Sequence, residues 1–265
     1  MLPNLVIIGA MKCGTTSLHE YLALHPQVCM SRIKETEFFI EKHNWPKGID
    51  WYQSLFTKQA KIMGESSTSY SKYPIFDGVP KRMHSVIPEA NLIYVVRDPI
   101  QRIISQYVHR VAHANEQRAL EELLMNPEND YIYYSKYYMQ IEKYLDYYPK
   151  PKILVLDFDE LIGNTQQTMR RVFEYLKIDS NFVSDQYSVV FNQSSKKKRP
   201  GWLGSRLRHV RGFSRVYKMM PWIFGSSIDR PIMSEPLRQE LTDLLKQDVN
   251  RLRSFSGCSF SKWCV

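Results

Sequence analysis

Short, nearly continuous apolar runs recur along the chain, and stretches with helical periodicity lie between them. Continuous apolar runs are typical of strands that a parallel sheet buries on both faces. The runs occupy residues 5–9, 61–65, 91–96 and 152–158. Helical spacing occupies about residues 16–24, 79–87, 99–113, 117–125, 134–147 and 164–177. The alternation predicts an α/β protein in which helices flank a parallel sheet.

The pattern changes after about residue 192. A polar segment rich in Lys and Arg follows at about 192–212, and its run KKKR at 196–199 predicts a basic loop. Leucines at helical spacing over about 234–254 predict an amphipathic C-terminal helix docked on the core. No internal repeat or Gly/Pro-rich linker divides the sequence, so we expect a single domain over residues 1–265.

Composition and charge narrow the class of protein. A hydrophobic fraction of 43% is that of a folded globular chain. The formal net charge of +9, from 36 Lys and Arg against 27 Asp and Glu, favours an anionic ligand. A nucleotide, nucleic acid, an acidic glycan or a membrane surface would each fit that charge. An excess of solvated lysines explains it equally well until motifs are considered.

The cysteines and the apolar runs indicate the cellular compartment in which the protein is expected. Cys13, Cys29, Cys258 and Cys264 form no C-x-x-C pair, so we predict no metal site. The sequence leaves open whether Cys258 and Cys264 form a disulfide, although scattered cysteines favour reduced thiols in a cytoplasmic protein. No run of 18 apolar residues exists and the first strand begins by Leu5, so we expect no membrane association and no signal peptide. A leader removed from a longer precursor is the open alternative.

The first apolar run leads through a glycine-containing loop, GAMKCGTT at residues 9–16, into a helix. A strand, loop and helix in this order aim backbone N–H groups and the positive end of the helix dipole at one spot, which suits a phosphate. A Walker A loop places its lysine directly before the hydroxyl residue. Here Lys12 precedes the second glycine by two positions, so its charge lies at the loop entrance. The candidate contacts are Lys12, Cys13, Gly14, Thr15, Thr16 and Ser17.

A second candidate phosphate site follows the run at 91–96, where the sequence reads RDPIQRIISQY. Pro99 suits a first helical turn, so Arg97 should project from the carboxyl end of a strand. Ser105, two turns into the helix, should lie over the same edge, where open α/β sheets bind ligands. An arginine fork with a hydroxyl suits a phosphate. Alone, Arg97 and Ser105 fit a surface salt bridge and a polar helix face; the first loop favours the phosphate interpretation.

GAMKCGTTSL and VVRDPIQRIISQY together resemble the two cofactor motifs of the sulfotransferase family. Its members use 3′-phosphoadenosine 5′-phosphosulfate (PAPS) and release adenosine 3′,5′-bisphosphate (PAP). The resemblance implies a P-loop-like sulfotransferase fold and transfer of a sulfuryl group to an acceptor hydroxyl. It implies that Lys12 acts at the 5′-phosphosulfate, while Arg97 and Ser105 bind the 3′-phosphate. It adds Lys197, Lys198 and Arg199 of the basic run as cofactor contacts; a track for an acidic acceptor and a solvated charged loop are the alternatives for this run.

Two further segments resemble the heparan-type carbohydrate branch of that family. SRIKETEFF at 31–39 is similar to its K-E-x-x-F-F segment, which implies that Glu35 is the catalytic base. GESSTSY at 64–70 is similar to its G-E-x-(S/T)-P-x-Y segment, with Thr68 in place of proline. Glu37 is a second choice of base, and His109 is a rival because another branch uses histidine. We expect a small hydroxylated metabolite as acceptor, with a glycan as the alternative.

Two other classes of protein stay open. A nucleotide kinase or NTPase with an atypical loop would share the strand-loop-helix arrangement, but the lysine position and the RDP segment favour the sulfotransferase. A basic nucleic-acid-binding protein without catalysis would share the charge. The sequence contains no RNP-like motif, zinc-finger spacing or basic heptad helix, so we predict no nucleic-acid partner. The sequence leaves the oligomeric state open.

Overall fold

The computed structural model describes residues 1–114, 116–188 and 228–265, together with the backbone of 198–200 and 225–227. Its main sheet is built from β1 (Leu5–Gly9), β2 (Val28–Met30), β3 (Ile62–Ser66), β4 (Asn91–Val96) and β5 (Ile153–Asp157). All neighbouring pairs are parallel, in the order β2-β3-β1-β4-β5. The carboxyl ends of the strands therefore meet at one edge, which confirms the predicted α/β fold.

Helices cover the sheet. They are α1 (Thr15–Ala23), α2 (Gly48–Gln53), α3 (Val79–Val86), α4 (Pro99–His113), α5 (Leu120–Leu124), α6 (Asp130–Tyr133), α7 (Tyr137–Leu145), α8 (Phe158–Gly163), α9 (Thr165–Leu176) and α10 (Glu235–Ser256). An antiparallel pair, β6 (Lys198–Pro200) and β7 (Gly225–Ser227), lies with β6 beside α4. In the described part of the chain, no helix combines the length and apolarity that crossing a bilayer requires.

The core is centred on β1 and β4. Residues 5–8 and 92–96 are fully buried, because both faces of these strands are covered, and this explains their continuous apolar runs. A second apolar cluster joins α4 to α10 through Ile100, Ile103 and Leu245. The C-terminal helix buries Leu241, Leu245, Val249 and Leu252. Leu244, which fits the same helical period in the sequence, is instead 37% exposed.

One predicted helix is wrong in its extent. The segment 134–147 begins with a turn, and its regular helix is α7 alone, because the short helix α6 already ends at Tyr133. Ser135 lies in that turn, where its hydroxyl donates to the Tyr131 carbonyl (2.8 Å) and accepts from Arg102 Nε (2.8 Å). A side chain that satisfies backbone groups in this way competes with continuation of the helix.

The other differences concern short elements. The strand expected to reach Phe158 ends at Asp157, whose carboxylate accepts from the Asp159 N–H (3.2 Å) and begins α8. The helix expected at 117–125 is limited to α5. β2 and α2 were not predicted, because three and six residues are too few to display a period.

Candidate active site

Two glycines allow the β1–α1 loop to pack closely against its neighbours. A Cβ atom on Gly9, where φ is 154°, would lie 1.9 Å from Ser71 Oγ. A Cβ atom on Gly14, where φ is 86°, would lie 2.7 Å from the Phe158 ring. Lys12, between them, also has a left-handed backbone, with φ 71°. Such strain at a non-glycine residue is concentrated at functional sites in proteins, and Gly14 then serves as the N-cap of α1.

The side chains of this loop divide into two groups. Lys12 and Thr16 are partly exposed, whereas Cys13, Thr15 and Ser17 are buried. The Cys13 sulfur lies 3.7 Å from Tyr137 Oη in the interior, and burial raises the pKa of this thiol to about 11. Cys13 therefore stays protonated and cannot act as a nucleophile at neutral pH. Whatever the exposure of these side chains, the first turn of the helix leaves its backbone N–H groups without intrahelical partners, so these groups can bind a ligand.

The second motif occupies the carboxyl end of β4, where the sequence placed it. Arg97 follows the strand, and Asp98 caps α4 by accepting from the Gln101 N–H (2.8 Å). The guanidinium carbon of Arg97 lies 4.7 Å from the centroid of the Phe158 ring. That ring also contacts Gly14 of the first loop. Phe158 therefore joins the two motifs, a role that the sequence analysis missed by assigning it to the end of a strand.

A buried positive charge lies beneath the motifs. Arg102, the second arginine of RDPIQR, is fully buried and donates to three neutral acceptors: Ser135 Oγ (2.8 Å), Gln106 Oε1 (2.7 Å) and the Tyr131 carbonyl (2.6 Å). Its charge and that of Arg97 both act to lower the pKa of Cys13, against the larger effect of burial. The positive charges of Arg102, Arg97 and Lys12 near this edge favour an anionic ligand. Ser105, on the same helix, is buried.

Glu35 is held in a fixed orientation at the end of β3. Its backbone is left-handed, with φ 60°, and its N–H donates to the Ser66 carbonyl (2.7 Å). One carboxylate oxygen accepts from the Thr68 N–H (2.7 Å) and the Thr68 hydroxyl (3.1 Å), and the other pairs with Lys34. The residue that replaces the branch's proline therefore supplies two donors, since a proline has no N–H. The Glu35 side chain is 36% exposed.

A second, buried carboxylate supports this segment. Glu65 is fully buried and accepts a hydrogen bond of 2.5 Å from Thr36, the residue after Glu35. Its other donors are the hydroxyls of Tyr52, Ser67 and Tyr70, at 2.7–2.9 Å. Burial raises the pKa of Glu65, and the hydroxyl donors oppose that shift. A glutamate inside a buried strand is rare, and that signal in GESSTSY could have identified this positioning role.

The rival bases lie in different surroundings. Glu37 also has a left-handed backbone, and its two oxygens accept from Ser69 Oγ (2.7 Å) and His43 Nδ1 (2.8 Å). His109 lies one helical turn beyond Ser105 on α4, with its ring 4.7 Å from that of His113. Both carboxylate oxygens of Glu37 therefore already accept hydrogen bonds. His109 lies further from Arg97 along α4 than Ser105 does.

Charged side chains surround Glu35. Lys72 Nζ donates to Ser69 Oγ (3.0 Å) and lies 5.7 Å from the centroid of the Tyr134 ring. Burial lowers the pKa of Lys72, and the nearby carboxylates of Glu35, Glu37 and Asp130 oppose that shift. This side of the site therefore presents both positive and negative groups.

The structure describes the remaining candidates only in part. Lys197 lies outside the described residues, as does most of the predicted basic loop. Lys198 and Arg199 are described as backbone of β6, beside α4. All four cysteines are free thiols. Among the residues with described side chains, no three His, Cys, Asp or Glu side chains converge as metal ligands would.

Comparisons with known proteins show similarity to sulfotransferases. The family model described as "Sulfotransferase domain" matches residues 2–202. The human bifunctional heparan sulfate N-deacetylase/N-sulfotransferase 2 is 30% identical over 201 residues, which cover 67% of this chain and 22% of that protein. The human heparan sulfate glucosamine 3-O-sulfotransferase 5 is 31% identical over 205 residues, covering 72% and 57%. The matches thus span from about a fifth to just over half of these curated relatives.

A solved structure extends the match to the whole length. The sulfotransferase from Alicyclobacillus acidocaldarius superposes with a TM-score of 0.73 and 26% identity, covering 99% of each chain. The span of the family model includes both candidate motifs, Glu35 and Glu65. The likeness in sequence therefore covers the same residues that the sheet brings together at its carboxyl edge. On this evidence the chain belongs to the sulfotransferase domain family.

Proposed function

We propose that this protein transfers a sulfuryl group from PAPS to an acceptor hydroxyl and releases PAP. One observation carries the proposal: the Phe158 ring contacts both Gly14 of the first motif and Arg97 of the second. A nucleotide with phosphates at both its 5′ and 3′ positions needs two cationic sites of this kind, side by side. When bound, PAPS supplies the activated sulfuryl group; the protein supplies position and charge.

The phosphate contacts follow from that placement. Arg97 and Ser105 bind the 3′-phosphate, and the backbone N–H groups of residues 14–16 bind the 5′-phosphate at the N-terminus of α1. Lys12 lies at the loop entrance and stabilises negative charge on the oxygen that leaves the sulfur. Its left-handed backbone, with φ 71°, supports a functional role, because backbone strain at a non-glycine residue is concentrated at functional sites.

Glu35 is the proposed general base, which accepts the proton of the attacking hydroxyl. A positioned base contributes about 10²–10⁴-fold to the rate. The donors from Thr68 and the ion pair with Lys34 support the assignment, because they fix the carboxylate at the surface of the site. Lys34 and Thr68 act as positioning residues for Glu35.

The acceptor is proposed to be a small, polar metabolite with a free hydroxyl. The mixed charges of Glu37, Lys72 and Asp130 near Glu35 favour a polar acceptor over an apolar phenol or sterol. Four free thiols support a reducing compartment such as the cytoplasm. A glycan hydroxyl is the second candidate, and it is favoured by the likeness to heparan sulfate sulfotransferases.

Two experiments test the function. Thermal unfolding with PAP, and separately with ATP and Mg²⁺, distinguishes the cofactor class: a ligand at 100 times its Kd stabilises by about 2.7 kcal/mol. Stabilisation by ATP with Mg²⁺ alone would support the kinase alternative. Incubation with PAPS and a panel of sugars, hydroxylated metabolites and heparan-type oligosaccharides, followed by mass spectrometry, then identifies the acceptor by sulfate addition. The Glu35→Gln variant is the matched control for non-enzymatic transfer.

A further inference from the structure

The C-terminal tail, residues 257–265 after α10, returns to the carboxyl edge of the sheet beside the second motif. The Cys264 N–H donates to Asp98 Oδ2 (2.7 Å), and the Cys264 thiol donates to the same oxygen (2.9 Å). The other oxygen of Asp98 caps α4 at Gln101. Asp98 directly follows Arg97 and is buried. One carboxylate therefore ties the tail to the start of the helix behind the proposed 3′-phosphate site.

Trp263 makes a parallel set of contacts at the next strand. Its indole Nε1–H donates to Asp157 Oδ1 (3.4 Å), and Asp157 directly precedes Phe158. The Trp263 ring lies 5.9 Å from the ring of Tyr137, whose hydroxyl donates to the Arg97 carbonyl (2.7 Å). The tail thus contacts the neighbours of both members of the Arg97–Phe158 stack, Asp98 on one side and Asp157 on the other.

The tail is itself fastened to α10. Arg253 donates from Nε to the Ser259 carbonyl (3.1 Å) and from Nη2 to the Val265 carbonyl (2.7 Å). Phe260 stacks on Trp263 with ring centroids 4.1 Å apart. These contacts give the tail a defined conformation, which a positioning role requires. The family model ends at residue 202, so the tail lies outside the segment that this model matches.

We propose that Trp263 and Cys264 are positioning residues that hold Arg97 in place for the 3′-phosphate and so set the preference for 3′-phosphorylated nucleotides. The proposal rests on the proposed function, because it takes Arg97 as the 3′-phosphate ligand. Without the tail, β4 would keep its hydrogen bonds to β1 and β5. The backbone at Arg97 and Asp98 would lose the contacts from the tail that fix its position. A guanidinium must be aligned to bind a phosphate through two hydrogen bonds, so this loss would weaken 3′-phosphate binding selectively.

The test measures the affinities of the full chain for PAP and for 5′-AMP by calorimetry, since their ratio reports the 3′-phosphate contribution. Asp98→Asn is the main variant. Asparagine caps helices as well as aspartate, but its single acceptor oxygen cannot serve both Gln101 and Cys264. We expect the PAP-to-AMP preference to fall about tenfold, in line with one hydrogen bond to a charged group. Loss of the negative charge alone would act in the opposite direction and tighten PAP binding.

Further variants separate positioning from folding. Cys264→Ala should reduce the preference about twofold, because only the weak thiol bond is lost, and Cys264→Ser should restore it. When Asp98→Asn and Cys264→Ala are combined in one chain, their effects on the PAP-to-AMP preference should be less than additive, because both act through Asp98 Oδ2. Cys258→Ala is the matched control, since this half-buried thiol lies in the same tail without contacting Asp98.

The outcomes are distinct. An unchanged or increased PAP-to-AMP preference in Asp98→Asn, with the preference lowered in Arg97→Ala, would overturn the role of the tail and leave the 3′-phosphate assignment intact. An unchanged preference in Arg97→Ala would instead contradict the proposed function. A lower melting temperature in Asp98→Asn with an unchanged preference would mean that the tail only stabilises the fold, and this too overturns the proposal.

Discussion

The two ends of the proposed nucleotide site are built in different ways. At the reacting end, Lys12 and Glu35 lie in loops, have left-handed backbones and are partly exposed. At the recognition end, Asp98 and Ser105 belong to the start and the second turn of α4 and are buried. The first end is held by short contacts from neighbouring loops, whereas the second is held by a helix cap, a buried arginine and the C-terminal tail.

The difference in exposure and support between the two ends matches the different tasks proposed for them, which are catalysis at one end and nucleotide recognition at the other. A phosphate group is bound by fixed charges, so the recognition end gains from rigid, buried elements. Groups that meet an acceptor must be accessible, so the reacting end retains exposure and backbone strain. Substitutions at the reacting end should therefore change turnover, while substitutions at the recognition end should change nucleotide affinity.

Glu35→Gln is expected to have the largest effect on turnover. The amide keeps the shape of the side chain and can still accept from Thr68, but it cannot take up a proton. Turnover should fall by about 10²–10⁴-fold while PAP affinity stays unchanged. Steady-state kinetics with PAPS and calorimetry with PAP measure the two quantities. Glu37→Gln is the matched control, and full turnover in Glu35→Gln together with loss in Glu37→Gln would move the base to Glu37.

Lys12→Ala should lower turnover by about 10²–10³-fold, the loss typical of removing one donor that acts on developing negative charge. The effect on PAP affinity should be smaller, because PAP lacks the sulfuryl group at which this lysine acts. The exposed Lys42 offers a control substitution on the surface. A loss confined to PAP affinity, with normal turnover at saturation, would place Lys12 at the recognition end instead.

Arg97→Ala should weaken PAP binding by about 10- to 100-fold, because a charged hydrogen bond contributes about 1.5–3 kcal/mol. Binding of 5′-AMP should be unchanged, and turnover at saturating PAPS should be retained. Calorimetry with both nucleotides tests this separation. Equal losses for PAP and 5′-AMP would show that Arg97 contacts a part that both nucleotides share.

The last effect concerns the stability of the fold and leaves turnover and nucleotide affinity aside. His19, on α1, is buried with Nδ1 2.8 Å from Ser66 Oγ, and burial lowers the pKa of His19 to about 4. The unfolded chain, with an ordinary histidine pKa near 6.5, binds the proton more tightly. Stability should therefore be complete above pH 6.5 and fall by up to about 3 kcal/mol as the pH drops to 4. Denaturant unfolding of His19→Gln should show a shallower pH dependence; an unchanged slope would assign the effect to other groups.

Sequence reasoning placed the elements that carry both motifs, because burial on two faces leaves continuous apolar runs and glycines mark the loop. It also placed Arg97 at the end of a strand, because Pro99 marks the start of a helix. It did not identify Phe158, Trp263 or the inward direction of Cys13. These features arise from contacts between residues far apart in the chain, which no local period encodes.

A crystal structure of the protein with PAP tests the central claim most directly, namely that the two ends of one nucleotide meet on either side of Phe158. We expect the 5′-phosphate at the N-terminus of α1 near Lys12 and the 3′-phosphate within hydrogen-bond distance of Arg97 and Ser105. A nucleotide bound elsewhere, or a 3′-phosphate without contact to Arg97, would contradict this account.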